Sequence, residues 1–339
     1  MRYFPILMII AHSLLGASWA SDVCKQYSNY NAAVYEDCSL QAYAKGSLLY
    51  WQPLAEGLEL GLVTTDPTFS IAQGKGRVVQ TRFHYTPGWQ FSIGIGGFPD
   101  DWELRADYTY LRATSSTKKV VSSYSNIYTQ RLQEGNAVLA KRLDSSWRAK
   151  FSALDGGLTR TFFVGPHLIF SPLVGGKLAF LRQDLHTTYG GGEITSPNQE
   201  AKQSASSHSW GLGPRGALSS EWVLPEGFSL LGSAAYSLLF TRYHIEIDDA
   251  PTSSTSTRFL IDQVEHTFRS MYEISLGTSW NSSFPLAFMQ WGFSAQYTFL
   301  VLPRQNVFSP IKSDPTGRRF AALNDFYLHG GILSTQIHF

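Results

Sequence analysis

Between Leu286 and Leu302 every odd position is apolar or aromatic: Ala287, Met289, Trp291, Phe293, Ala295, Tyr297, Phe299 and Val301. The even positions from Gln290 to Thr298 hold Gln, Gly, Ser, Gln and Thr. The preceding run alternates in the opposite parity. Phe268, Tyr272, Ile274, Leu276 and Trp280 are even, and Arg269, Glu273, Ser275, Gly277 and Ser279 lie between them. Side chains of a strand point to opposite faces with period two, so each run is a strand with one oily and one polar face. Length restricts the fold further. Strands of soluble domains usually stop after about 5–6 residues, whereas a tilted strand needs about 9–11 to cross a bilayer. These runs suit strands that cross a membrane and continue beyond it, with aromatics at both ends for the two interfaces. The competing fold, a large antiparallel sandwich, would break its strands sooner.

The first residues read as a secretory signal. Arg2 precedes an apolar core from Ile6 to Leu15, and Ser18-Trp19-Ala20 supplies small residues for cleavage after Ala20. No later stretch has the length of a membrane helix, so a chain that enters the membrane does so as a barrel. Abundant aromatics (Tyr 17, Phe 22, Trp 9) and only 16% charged residues agree with that. A formal net charge of +1 offers nothing to a nucleic acid. Cys24 and Cys38 are the two cysteines and follow the signal, which predicts one disulfide, with cross-linking between chains as the alternative.

Alternation predicts ten strands near 41–52, 77–97, 101–113, 146–162, 169–189, 207–223, 227–246, 266–280, 286–302 and 325–339. Twelve is the alternative, because Thr86-Pro87-Gly88 interrupts the second: either a bulge sits there or the first loop holds an extra hairpin. Long and short connections alternate, with Thr114–Ser145, Gly190–Ser206, Ile247–Glu265 and Pro303–Asn324 long. A membrane barrel keeps that order. The expected organisation is a signal at 1–20, a periplasmic lead-in at 21–40 and an all-β, up-and-down transmembrane barrel at 41–339.

Three stretches resemble a known family: Ala44-Lys-Gly-Ser-Leu-Leu-Tyr-Trp-Gln-Pro-Leu-Ala-Glu-Gly-Leu-Glu-Leu60, Pro87-Gly-Trp-Gln-Phe-Ser-Ile-Gly-Ile-Gly96 and Asp101-Trp-Glu-Leu-Arg-Ala-Asp-Tyr-Thr-Tyr110. They are similar to the Legionella-type major outer membrane protein family of pore-forming proteins, found also in chlamydia-like bacteria. The resemblance implies a Gram-negative outer-membrane location and a general pore activity, and hands over no catalytic residues. The closing strand, with Tyr327, Gly331, Leu333, Ile337 and Phe339 on one face, resembles the signal that the outer-membrane barrel assembly machinery recognises.

With the oily face turned to lipid, the polar face lines the lumen. Pore-lining candidates are Lys45, Glu103, Arg105, Asp107, Arg148, Lys150, Lys177, Arg215, Glu221, Arg269 and Glu273, with a slip in the pattern near Gly156-Gly157. Such charges either form a selectivity filter or simply pair across a narrow lumen. Asp184 with His186, Asp248 with Asp249, and His208 with Ser209 come without a supporting catalytic constellation, and neither a metal set nor a phosphate loop is present in the sequence, so no enzyme activity and no cofactor are expected. The expected function is a porin-like channel for passive diffusion of small hydrophilic solutes, with outer-membrane lipid as its surroundings. The alternative is a closed structural or adhesin-type barrel whose external loops bind a host surface.

Overall fold

A computed structural model describes residues 41–65, 76–98, 102–129, 131–132, 139–192, 194, 200–250, 259–282, 290–306, 308, 312–313, 319–320 and 324–338. Residues 1–40, with Cys24 and Cys38, and the terminal Phe339 lie outside the described residues. Ten long strands form one closed antiparallel ring: β1 (Gln41–Ala55), β2 (Thr86–Phe98), β3 (Trp102–Val120), β4 (Arg142–Arg160), β5 (Leu168–Gly190), β6 (Glu200–Val223), β7 (Phe228–Ala250), β8 (Phe259–Ser282), β9 (Gln290–Asn306) and β10 (Asn324–His338). Each strand pairs with its sequence neighbours. β10 then returns to β1, with Tyr43 opposite His338 and Ala55 opposite Phe326. An extra short strand, Phe162–Val164, folds back on Leu168–Phe170 around Gly165.

Faces follow the alternation. On β8, Leu276 is 67% exposed while Met271, on the opposite parity, is fully buried. On β9, Phe293, Ala295 and Tyr297 face outward, and Gly292, Ser294 and Gln296 face inward. The exposed outer band of Leu, Ile, Phe, Tyr and Trp is what hydrocarbon requires. Aromatic pairs mark its edges, among them Trp280 with Phe293 and Phe240 with Phe268.

The strands from β3 to β8 are 19–24 residues long, against 13–17 for β1, β2, β9 and β10. The sequence placed their outer ends too early. Ser115, Thr117, Ser145, Gln203 and Ser207 continue the inward row without an oily partner face. Above the lipid, both faces can be polar, so the ladder goes on after the hydropathy signal has ended.

The interruption at Pro87 resolves as an extra hairpin outside the wall, so the ring stays at ten strands. Glu59–Thr64 and Arg77–Gln80, from the β1–β2 connection, pair with each other. Asn126–Thr129 and Leu139–Ala140, from the β3–β4 connection, complete a four-stranded loop sheet. This sheet packs on inward-facing wall residues. Its Leu60 carbonyl accepts from Tyr189 Oη at 2.5 Å, and the chain leading from it into β2 sets Phe83 edge-on to Trp147 at 5.2 Å.

Gly175 on β5 faces Gly157 on β4 and Arg215 on β6. A Cβ there would lie 2.0 Å from the Gly156 carbonyl oxygen and 2.5 Å from Gly157 Cα. The strands approach too closely for any side chain. Gly175→Val should cost roughly 1–3 kcal/mol through overpacking, read as a lower urea midpoint for the folded, heat-modifiable gel band. An unchanged midpoint would show that the two strands part freely.

Candidate functional site

The barrel interior has two storeys. Toward the rim where β1 begins and β10 ends it is polar. A cavity of about 380 Å3 is lined there by Tyr43, Lys45, Glu103, Gln336 and His338, and it extends to Asp155, Lys177, Arg215 and Glu273. These last four form a compact ionic layer. Lys177 Nζ donates to Asp155 Oδ1 at 2.8 Å and to Glu273 Oε1 at 2.8 Å. Arg215 grips the same Glu273 with both Nη atoms, at 2.5 and 2.9 Å, and its Nε lies 3.7 Å from Asp155. Beside them, Arg105 makes a two-pronged bond to Asp107 at 2.8 and 3.0 Å. Tyr43 Oη donates to Glu103 at 2.8 Å. Lys45 lines the cavity with no carboxylate within 4.0 Å among the described residues.

The outer storey is apolar and filled. Leu49, Trp51, Leu111, Trp147, Phe151, Tyr189, Tyr243 and Leu300 turn inward from six strands and are nearly or wholly buried. The loop sheet adds Leu60, Ile127 and Ala140, each wholly buried. At the centre sits Arg131, only 1% exposed. Its Nη1 donates to Gly57 O at 2.9 Å and its Nε to Gln203 Oε1 at 3.3 Å. Its Nη2 donates to Phe308 O, and its own carbonyl accepts from Gln203 Nε2. One guanidinium thus ties together the β1–β2, β3–β4 and β9–β10 connections and the wall. Burial pulls its pKa down to about 10, against the opposing pull of Tyr189 and Glu59, so it stays a cation at neutral pH. A second polar chain crosses the interior: Arg269 Nε donates to Tyr243 Oη at 3.1 Å, Tyr243 to Gln305 Oε1 at 2.6 Å, and Gln305 Nε2 to Ser209 Oγ at 2.8 Å.

The sequence-expected lumen residues divide accordingly. Lys45, Glu103, Arg105, Asp107, Lys177, Arg215 and Glu273 all line the polar cavity. Glu221 shares the inward parity of β6 near the rim, and Arg269 faces Tyr243 higher up. Arg148 and Lys150 are corrections: both are exposed on the outer wall of β4. Lys150 lies over the outward ring of Tyr110 at 5.6 Å. Trp147 and Phe151 read as lipid-facing only if the interior is polar throughout; here they face an oily interior, which reverses the parity. No register shift interrupts β4 at Gly156-Gly157, and Asp155, left out by sequence reasoning, falls inward. The uniformly polar lumen is likewise corrected, because folded-in loops give the outer storey apolar partners. Of the pairs weighed as catalytic, His208 and Ser209 point to opposite faces: Ser209 Oγ donates inward to Leu181 O at 3.1 Å, while His208 lies 3.9 Å from Asp184 on the outside. His186 Nδ1 meets Ser204 Oγ at 2.9 Å.

A closed antiparallel ring with an oily exterior, a charged lower interior and a mouth stoppered by its own loops defines a membrane β-barrel of the outer-membrane type. The chain belongs to the family of the Legionella pneumophila major outer membrane protein precursor, whose family model matches residues 39–336. The protein is therefore an outer-membrane protein of a Gram-negative bacterium. Among curated proteins no sequence match was found. Solved structures with a similar chain path include the outer membrane protease OmpT of Escherichia coli, at 9% identity and a TM-score of 0.47 over 89% of this chain and 98% of that one. A major outer membrane protein of Thermus thermophilus is similar at 9% identity and a TM-score of 0.35, covering 89% and 100%. The translocator domain of the autotransporter NalP of Neisseria meningitidis is similar at 12% and 0.34, covering 98% and 96%.

Proposed function

We propose that the protein is a pore-forming barrel for passive diffusion of small hydrophilic solutes, held shut by its own loops and opened when the loop sheet withdraws. The observation that carries this reading is that the stopper is no part of the wall. The ten-strand ring is closed without it. The stopper is built from connections, and its central link is a buried cation that, among the described residues, has only neutral acceptors. Burying a charge that no carboxylate bonds directly is costly, with Glu59 acting on it only from a distance, so this seal is weaker than a wholly apolar one. Below it, the ionic layer balances Lys45, Arg105, Lys177 and Arg215 against Glu103, Asp107, Asp155 and Glu273, which suits a filter of low net charge. The reading includes export through a signal at residues 1–20, a Cys24–Cys38 bridge and assembly through the closing strand.

Single-channel recording in planar bilayers tests it. The wild type should be closed most of the time. Arg131→Ala, which releases the three side-chain hydrogen bonds at the seal, should be open at least tenfold longer, and Lys45→Glu in that background should move the ion preference toward cations. The packed outer storey also favours a second reading, a closed structural barrel whose external loops bind a surface. If Arg131→Ala and Leu60→Asp both assemble and neither conducts, the second reading replaces the first.

A further inference from the structure

On the outside of the barrel, just beyond the apolar band, six consecutive strands each place an Arg, Lys or His before any carboxylate: Arg112 on β3, Lys150 on β4, Arg182 on β5, His208 on β6, Arg242 on β7 and His266 on β8. The first four are direct cross-strand partners, Arg112 to Lys150, Lys150 to Arg182 and Arg182 to His208. Arg242 and His266 are partners one step nearer the lipid. Like charges opposite one another destabilise a sheet unless something neutralises them. Among the described residues, the one carboxylate within 4.0 Å of this arc is Asp184, 3.3 Å from Arg182 and 3.9 Å from His208. Arg112, Lys150 and Arg242 have none. His244, next outward on β7, takes Glu246 at 3.4 Å and Asp262 at 2.9 Å away from the arc.

The arc is one-sided. On β9, β10, β1 and β2 the band ends in Tyr297, Tyr327, Tyr50 and Trp89 and carries no outward Arg or Lys among the described residues, while the outward His329 of β10 meets Tyr297 Oη at 2.7 Å. Next outward come the acids Glu56 and Asp325, to which Tyr327 Oη donates at 3.2 and 3.0 Å. Arg304 lies out there too, its backbone N–H on Asp325 at 2.8 Å. The basic side also carries a shallow depression of about 490 Å3, edged by Lys150, Arg182, His208 and Arg242 and floored by Phe180 and Trp210. Cations above an aromatic floor, at the height where hydrocarbon gives way to headgroups, match a molecule with an anionic head and an apolar tail.

We propose that this arc binds the phosphorylated headgroup of an outer-leaflet glycolipid, with the acyl chains laid on the apolar wall beneath Phe180 and Trp210. The bound lipid supplies the negative charge that the wall lacks, and it orients the barrel's β3–β8 side toward such lipids. The proposal does not rest on the pore reading, since every residue of the arc lies outside the lumen. The experiment places the wild type and Lys150→Gln/Arg182→Gln/Arg242→Gln in phosphatidylcholine nanodiscs doped with bisphosphorylated lipid A or its dephosphorylated form, and counts retained lipid by native mass spectrometry. Wild type should retain the phosphorylated form at least tenfold better than the dephosphorylated one. The triple variant should lose that preference, at about fivefold per charge removed. If the triple variant does not assemble, Lys150→Gln alone, at an exposed site, carries the same reading with a smaller step. Equal retention of both lipids by wild type, or an unchanged preference in the variants, overturns the proposal. Displacement of the lipid by millimolar inorganic phosphate overturns the lipid assignment in favour of a soluble-anion site.

Discussion

Glu273→Leu should weaken the barrel more than any other single change at the ionic layer. Glu273 accepts from Lys177 at 2.8 Å and from Arg215 at 2.5 and 2.9 Å. Lys177 is only 2% exposed at its side chain and Arg215 13%. Without Glu273, two buried cations share Asp155 alone, with Arg215 Nε no nearer than 3.7 Å to it. Removing one partner of a buried ion pair costs about 3–5 kcal/mol, mostly because the other partner stays buried. The measurement is the urea midpoint of the refolded protein in detergent, followed by heat-modifiable gel mobility. The double variant Arg215→Met/Glu273→Leu removes opposite charges together and leaves Lys177 with Asp155, so it should regain part of the loss. A double variant weaker than Glu273→Leu would mean that Arg215 supports the layer through packing rather than charge.

Ala295→Arg and Ser294→Arg should differ sharply although they are neighbours on β9. Ala295 faces lipid opposite Thr278 and Leu333, and Ser294 faces the interior opposite Ser279 and Ser334. An arginine on the lipid side at mid-membrane costs roughly 2–4 kcal/mol. Ala295→Arg should therefore cut the yield of folded barrel, whereas Ser294→Arg reaches the polar storey and should assemble. Folding yield into lipid vesicles, scored by gel shift, decides between them. The reverse order would mean that β9 is displaced by one residue, which turns its faces inside out.

Where lipid or water lay on one face, the sequence was readable. Phe293 against Ser294, and Leu276 against Ser275, announce their faces without help. So do Glu103, Arg105 and Asp107 against Trp102, Leu104 and Tyr108, because each contrast is repeated along one strand. Legibility fails where the interior is itself oily. Trp147 and Phe151 point inward to meet folded-in loops, so the rule that oil faces lipid inverted β4 and carried Arg148 and Lys150 to the wrong side. Only knowledge of the loop sheet corrects that, and its strands, as short as Leu139–Ala140, are too brief to show a period. Arg131 was invisible for a related reason: a lone arginine in a polar connection reads as solvated until three connections are found to converge on it. The basic arc escaped notice because its members are separated by tens of residues and become neighbours only through register.

The seam between β10 and β1 bears on how the membrane vets this chain. β10 is the last strand, and it must bond on one side to β9 and on the other to β1, the first. Until it arrives, both flanks of the ring present unpaired N–H and C=O groups. In hydrocarbon each of these costs several kcal/mol. Partial rings therefore have no stable residence in the bilayer, and a chain cut short before Asn324 is refused however well its first nine strands fold. Closure of the ring is checked by the lipid itself, at the moment β10 meets β1.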